Sequence, residues 1–439
     1  MRYRTNRDGI SLDISRVMRL GVIVLIMAIS LSPRIPLGIA IPGRGFDLRF
    51  EDMILVALLL LWFFLRPRIY LTPLFKAIGI YFSVVIITSS VAVMTLDLVP
   101  IKTFFYSLKE LEYFLIFFFV ANWIRTEADC RLASGFLLFA GLLNAIWVGF
   151  QLATFQRSSF FLVERELSVD VYSEPRLLES YGPHLIGEAS PLSTGGFFML
   201  VFILTLSFYL FSRAGNRRWL YAVLGIMFLT SLALSFSRVA MVGAVIGTVI
   251  LLSQDKLKII IKTIPILIIM LAVGALMMDQ LGYLGDEGRL SYAGINNSVV
   301  VRLQEIWLPL LHQQNVSSLF LGFGKGALGT LKGLEATEAH NYYLRVFLES
   351  GLFGLLAFVG LLGSVIFLSA RVFSGGKLAI SKVVGGATLA ATVALSIAAL
   401  FQDVFTPVVL NELWWILAGL TVAAHRIEST SKNLPSNVS

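Results

Sequence analysis

Residues 132–156, 189–212, 350–370 and 383–402 contain no charged side chain. Each run is as long as the roughly 20 residues that carry an α-helix across a hydrocarbon core. Water cannot solvate that much uninterrupted apolar surface, so these runs restrict the chain to folds that use lipid as solvent. The whole sequence agrees. Of 439 residues, 57% are apolar and 14% charged, against roughly 25% charged in soluble domains. The runs are apolar on every face, whereas strands of a membrane barrel alternate over about ten residues. The expectation is an all-α, polytopic membrane protein forming a single integral domain over 1–439.

Other classes fall away. A single cysteine, Cys130, permits no intrachain disulfide and no thiolate metal cluster. The net charge of +8 contains no long basic run, so it gives no support to nucleic-acid binding. The first thirty residues resemble a signal peptide, but Ser30-Leu31-Ser32-Pro33-Arg34 offers no small-x-small cleavage site, and an uncleaved first span is expected.

About twelve spans are expected, near 17–31, 53–65, 74–94, 104–123, 133–155, 191–212, 218–235, 239–253, 259–278, 343–370, 379–402 and 408–425. With the N-terminus inside, the cytoplasmic segments carry 21 Lys and Arg, and the opposite loops, although longer, carry 12. Positive charge collects on the cytoplasmic side of membrane proteins, so both termini are expected inside. The two long polar segments, 156–190 and 279–342, then lie outside, where nucleotide sugars and ATP are absent. Within the second, Val299, Val300, Leu303, Ile306, Trp307, Leu310 and Leu311 recur at helical spacing, predicting an amphipathic interfacial helix bent at Pro309.

Few side chains on the outer face are suited to chemistry. His340, in Glu338-Ala339-His340-Asn341-Tyr342, sits where the long outer loop re-enters the membrane. An imidazole there either takes a proton from a hydroxyl or anchors a helix start. Ser235-Phe236-Ser237-Arg238 forms an outer turn too short to need an arginine. A charge at a helix mouth marks either a polar site or a side chain snorkelling to headgroups. Arg302 has Glu305 one turn away, a spacing that also suits a solvated ion pair. Arg345 and Glu349, four apart on one helix face, read as a structural pair. Arg176, His184 and Glu188 flank Gly182-Pro183 in the first long loop, where they line an anionic site or are merely solvated. His312 reads as a solvated loop residue and His425 as a neighbour of Arg426. Leu321-Gly322-Phe323-Gly324-Lys325-Gly326 lacks the preceding strand of a nucleotide loop. Glu164-Arg165-Glu166 lacks the further ligands of a metal site. No Asp-x-Asp occurs anywhere, and no Gly-x-Ser-x-Gly elbow marks a nucleophile.

Ser-Phe-Ser-Arg at 235–238, Val-Arg-Leu-x-x-x-Trp at 301–307, Leu-Gly-Phe-Gly-x-Gly at 321–326 and His-Asn-x-Tyr-Leu at 340–344 occur in that order, followed by Glu349-Ser350-Gly351. In this order and outer placement, the region 190–360 resembles the O-antigen ligase and polymerase superfamily of bacterial envelope glycan enzymes. The resemblance implies a GT-C-like, metal-independent glycosyltransferase of the cytoplasmic membrane, with no cofactor and its active site on the periplasmic face. The implied donor is a glycan on undecaprenyl diphosphate, and the implied acceptor is a sugar hydroxyl of lipid A–core or of a growing chain. Arg238 and Arg302 would hold the diphosphate and His340 would engage the acceptor hydroxyl. Ser237, Asn341, Arg176 and His184 would line the substrate site, although the family's polar motif is indistinct around Tyr181-Gly182-Pro183-His184. A transporter using Arg345 and Glu349 along its path is the reading from another class, but polar residues gather at one face and no repeated pair of broken helices is visible.

Overall fold

The computed structural model describes residues 14–31, 34–41, 44–65, 70–96, 98–154, 191–212, 215, 218–235, 237–253, 300–328 and 339–432. The expected span 259–278, the loop 156–190 with Arg176 and His184, and parts of the loop 279–342 lie outside these residues.

Helix α1 (Ile14–Leu31) leads into an antiparallel hairpin, β1 (Arg34–Ile41) and β2 (Arg44–Arg49), the one departure from helix among the described elements. Helices α2 (Phe50–Leu65), α3 (Phe75–Thr95), α4 (Pro100–Trp123), α5 (Glu127–Thr154), α6 (Pro191–Phe211), α7 (Arg218–Leu234) and α8 (Arg238–Leu252) follow. A π-helical turn, Arg302–Trp307, continues into α9 (Leu308–His312), and then come α10 (Val316–Leu321), α11 (Tyr342–Gly375), α12 (Ala379–Ala398) and α13 (Val408–Lys432). The helices coincide with the expected spans wherever the residues are described. Six are long and apolar enough to cross a membrane: those over 75–95, 127–149, 192–211, 342–375, 379–398 and 408–430. The protein is a helical membrane protein.

Around Pro309, where a bend is expected, the helix departs from regular α geometry. The proline has no N–H and its ring excludes the carbonyl four residues back. Just upstream, the helix widens, and Leu308 N–H bonds the carbonyl of Leu303, five residues back.

The centre of the bundle is α13, α6 and α12, whose apolar windows are 94%, 78% and 72% buried, whereas α3 is 33% buried and faces outward. Small residues explain the central packing. Gly243 and Gly247 of α8 meet Ala394 and Ala390 of α12 in turn, a register that makes these two helices antiparallel. Close backbone approach of this kind supplies dispersion contact where no hydrophobic effect acts. Buried hydroxyls add cross-links: Ser207 Oγ donates to Val383 O at 2.7 Å, and Thr421 Oγ1 to Thr388 Oγ1 at 2.8 Å. Helices α4 and α13 run parallel, because Lys109 pairs with Glu412 at one end while Arg426 donates to Ile124 O at 2.7 Å near the other.

Candidate functional site

The segment 399–407, between α12 and α13, organises one end of the bundle. Arg302 Nη1 donates to Phe401 O at 2.9 Å, so the start of the π-helical turn is seated on this segment. Ala339 N–H donates to Asp403 Oδ2 at 3.1 Å and Tyr342 N–H to Ala399 O at 2.8 Å, which fixes both sides of His340 on the same support. Trp307 Nε1 donates to Ala339 O at 2.8 Å and ties the Arg302 helix to the His340 segment directly. Asn341 Oδ1 accepts from Leu344 N–H at 3.0 Å and caps α11. His340 itself has φ of +50°, a left-handed conformation uncommon outside glycine. Such strain persists only when surrounding contacts over-determine it, and here those contacts are the bonds on either side.

Arg238 is the first residue of α8, and Ser237 is its N-cap residue. The antiparallel register with α12 sets Arg238 level with Ala399, at the same end as Arg302 and His340. The turn before it is packed against α6: a Cβ on Gly195 would stand 2.4 Å from Ser237 Cβ and 2.7 Å from Ser235 Oγ. Ser235 Oγ donates to Leu232 O at 2.6 Å and closes the end of α7. Three residues far apart in sequence, each half-buried, therefore gather at one end of the bundle. Arg176 and His184 belong to the undescribed loop, so the structure does not join them to this group.

Beside these residues lies an ionic network that the sequence analysis largely missed. The expected pair forms, with Arg345 Nε 3.4 Å from Glu349 Oε1, but it is only part of a larger set. Lys325 Nζ lies 2.8 Å from Glu110 Oε1 and 3.1 Å from Glu349 Oε2, and Arg345 Nη1 lies 3.5 Å from Asp403 Oδ2. Burial alone would lower the Lys325 ammonium, but the Glu110 and Glu349 carboxylates outweigh it and hold the group well above its ordinary range. Lys102, also buried, donates from Nζ to Leu328 O at 3.3 Å. Asp403 is 3% exposed, and its Oδ1 has no hydrogen-bond partner.

A break in α11 lets Lys325 reach this network. Gly351 has φ of +64°, so the helix is interrupted at the start of the apolar run. The carbonyls released there are taken up by the glycine-rich loop: Phe323 N–H donates to Leu348 O at 2.7 Å and Gly324 N–H to Glu349 O at 2.8 Å. The two backbones touch. A Cβ on Gly351 would stand 2.1 Å from Phe320 O, and one on Gly322 2.5 Å from Glu349 C. The glycine-rich segment 321–326 is thus a structural latch carrying Lys325. A signal for this network was available, since Lys102 and Glu110 stand in or beside the fourth span. Ionisable residues in a span are candidates by default.

Among the described residues, no group of three or more His, Cys, Asp or Glu is arranged to hold a metal ion. The chain matches no protein-family profile and no curated protein sequence.

Proposed function

We propose that this protein is a metal-independent membrane glycosyltransferase of the O-antigen ligase type, with about twelve spans in a GT-C-like arrangement. It transfers a glycan from undecaprenyl diphosphate to an acceptor sugar hydroxyl, as in lipid A–core, at the outer face of the bacterial cytoplasmic membrane. The observation that carries this reading is the seating of Arg302 and His340 on one support, with Arg238 at the same level.

The chemistry follows from those three groups. The acceptor oxygen forms a bond to the anomeric carbon while the bond from that carbon to the diphosphate oxygen breaks. His340 takes the hydroxyl proton, and the diphosphate leaves with its electron pair and added negative charge. Arg238 and Arg302 neutralise that charge, and as planar forks they bind phosphate oxygens bidentately. Asn341 and Ser237 line the substrate site, and the proposal extends to Arg176 and His184 of the first long loop. A growing carrier-linked chain is an alternative acceptor, which would make the enzyme a polymerase.

Purified protein in proteoliposomes, given lipid-linked donor and a defined acceptor, should form glycosylated acceptor in EDTA without nucleotide sugar or ATP. Loss of turnover on chelation, restored by Mg²⁺ or Mn²⁺, would contradict the arginine-based mechanism. The break in α11 beside buried charges favours one second reading, a transporter, because interrupted helices line translocation paths. Movement of the donor across the vesicle membrane without product would decide for it.

The proposed orientation has both termini in the cytoplasm and the Arg238–His340 end outside. Ser317 and Ser374 are both exposed and lie on opposite sides in this topology, and the native Cys130 is buried. In intact cells, an impermeant thiol reagent should label Ser317→Cys and spare Ser374→Cys. Equal labelling would refute the orientation.

A further inference from the structure

A second charged cluster lies where the starts of α2 and α13 meet the outer half of α4, and the mechanism above does not use it. Three carboxylates converge on one ammonium. Lys109 Nζ stands 2.6 Å from Glu112 Oε1, 3.2 Å from Asp52 Oδ1 and 3.7 Å from Glu412 Oε1. Arg49 and Glu51, alongside, pair with each other at 3.5 Å. Tyr113 completes the titratable groups facing the cluster, its ring centre 5.9 Å from Lys109 Nζ.

Glu412 is the odd member. Its side chain is fully buried, at 0% exposure, while Lys109 and Asp52 are about a quarter exposed. No donor reaches either Glu412 oxygen: the carboxylate of Glu112 faces it at hydrogen-bonding range but is itself an acceptor, and the distance to Lys109 is beyond that range. Glu112 and Asp52 already surround the shared ammonium at closer range. An ionised carboxylate without a hydrogen bond, buried beside two others, has a severe desolvation cost that one distant cation cannot offset. Like charges confined to one site do not all ionise. The ammonium occupies the point where the carboxylates converge, which leaves a proton as the fitting counter-charge.

We propose that Glu412 is a proton-binding site, carried as the neutral acid in the folded protein and open to the outer surroundings through Lys109 and Asp52. The neighbouring residue gives the site a route to the rest of the molecule. Asn411 Nδ2 donates to Phe405 O at 3.0 Å, and Phe405 belongs to the segment that seats Arg302 and His340. A change of charge on Glu412 therefore acts on the strand of backbone supporting both.

The inference does not depend on glycosyl transfer and is tested without it. Glutamine has the shape of the neutral acid but has no proton to lose. The unfolded chain gives up the Glu412 proton at the ordinary carboxylate range of about 4.3, whereas the fold keeps it. Native stability contributed by this group is then full at low pH and declines as pH rises, until the folded site itself ionises. Relative to native protein, Glu412→Gln in detergent should gain up to tenfold in folding equilibrium per pH unit above about 5, read as a widening gap in Tm. Infrared spectra should also show a protonated-carboxyl C=O band in native protein that Glu412→Gln removes. A Tm gap constant across pH, or a native spectrum in which Glu412→Gln removes no such band, would overturn the proposal. If Glu412→Gln does not fold, the same band is sought in native protein and Glu112→Gln. Relief of repulsion from Glu112 should shift it, and an absent or unmoved band would refute the site.

Discussion

Replacing His340 by alanine should slow glycan transfer by roughly 10²–10⁴-fold while leaving donor binding intact, the usual contribution of a positioned acid–base group. Its left-handed backbone, φ +50°, complicates that variant, because alanine tolerates the region poorly. His340→Asn is the better partner, since asparagine adopts this conformation and lacks a basic nitrogen. Both variants should be equally slow. Arg238→Lys keeps the charge and loses the planar fork, so it should also be strongly impaired, but with weakened donor binding. Single-turnover transfer together with donor binding separates the two patterns. Native-rate transfer by His340→Asn would remove His340 from the mechanism.

A second large effect should fall on folding. Glu349→Ala leaves Lys325 and Arg345 buried with one carboxylate fewer, and breaking a buried pair costs about 3–5 kcal/mol. Glu349 also accepts from Gly326 N–H at 3.4 Å, so the glycine-rich loop loses an attachment as well. The yield of folded protein and its Tm should fall sharply. The double variant Lys325→Met with Glu349→Gln, which removes opposite charges together, should recover much of the loss. Equal instability of the single and double variants would show that the charge balance around Lys325 is not what holds the loop.

The helices were legible in the sequence because uncharged runs of spanning length leave a chain few options, and many boundaries lie near a charge or a Pro. The gathering of Arg238, Arg302 and His340 was legible as an expectation of common sidedness. Their seating on residues 399–407 was not. It depends on backbone carbonyls at Ala399 and Phe401, which no residue type announces. Lys325 was missed for a related reason. Its partners Glu110 and Glu349 stand on different helices, and contact between them exists only because α11 is interrupted. That interruption depends on Gly351 meeting the Phe320 backbone, a tertiary contact. Within an apolar helix, a glycine alone does not distinguish a break from ordinary close packing.

The break in α11 also bears on the order in which the molecule is made. Phe323 and Gly324, which satisfy the carbonyls of Leu348 and Glu349, precede them in the chain. As synthesis proceeds from the N-terminus, the donors have already emerged when the interrupted helix enters the membrane. Its exposed carbonyls need never wait in lipid without partners. The support for Arg302 and His340 has the opposite timing, for it lies between α12 and α13, downstream of both residues. The ribosome therefore delivers Arg238, Arg302 and His340 before their seat, so chains stalled before residue 399 would carry the arginines and the histidine with nowhere to set them.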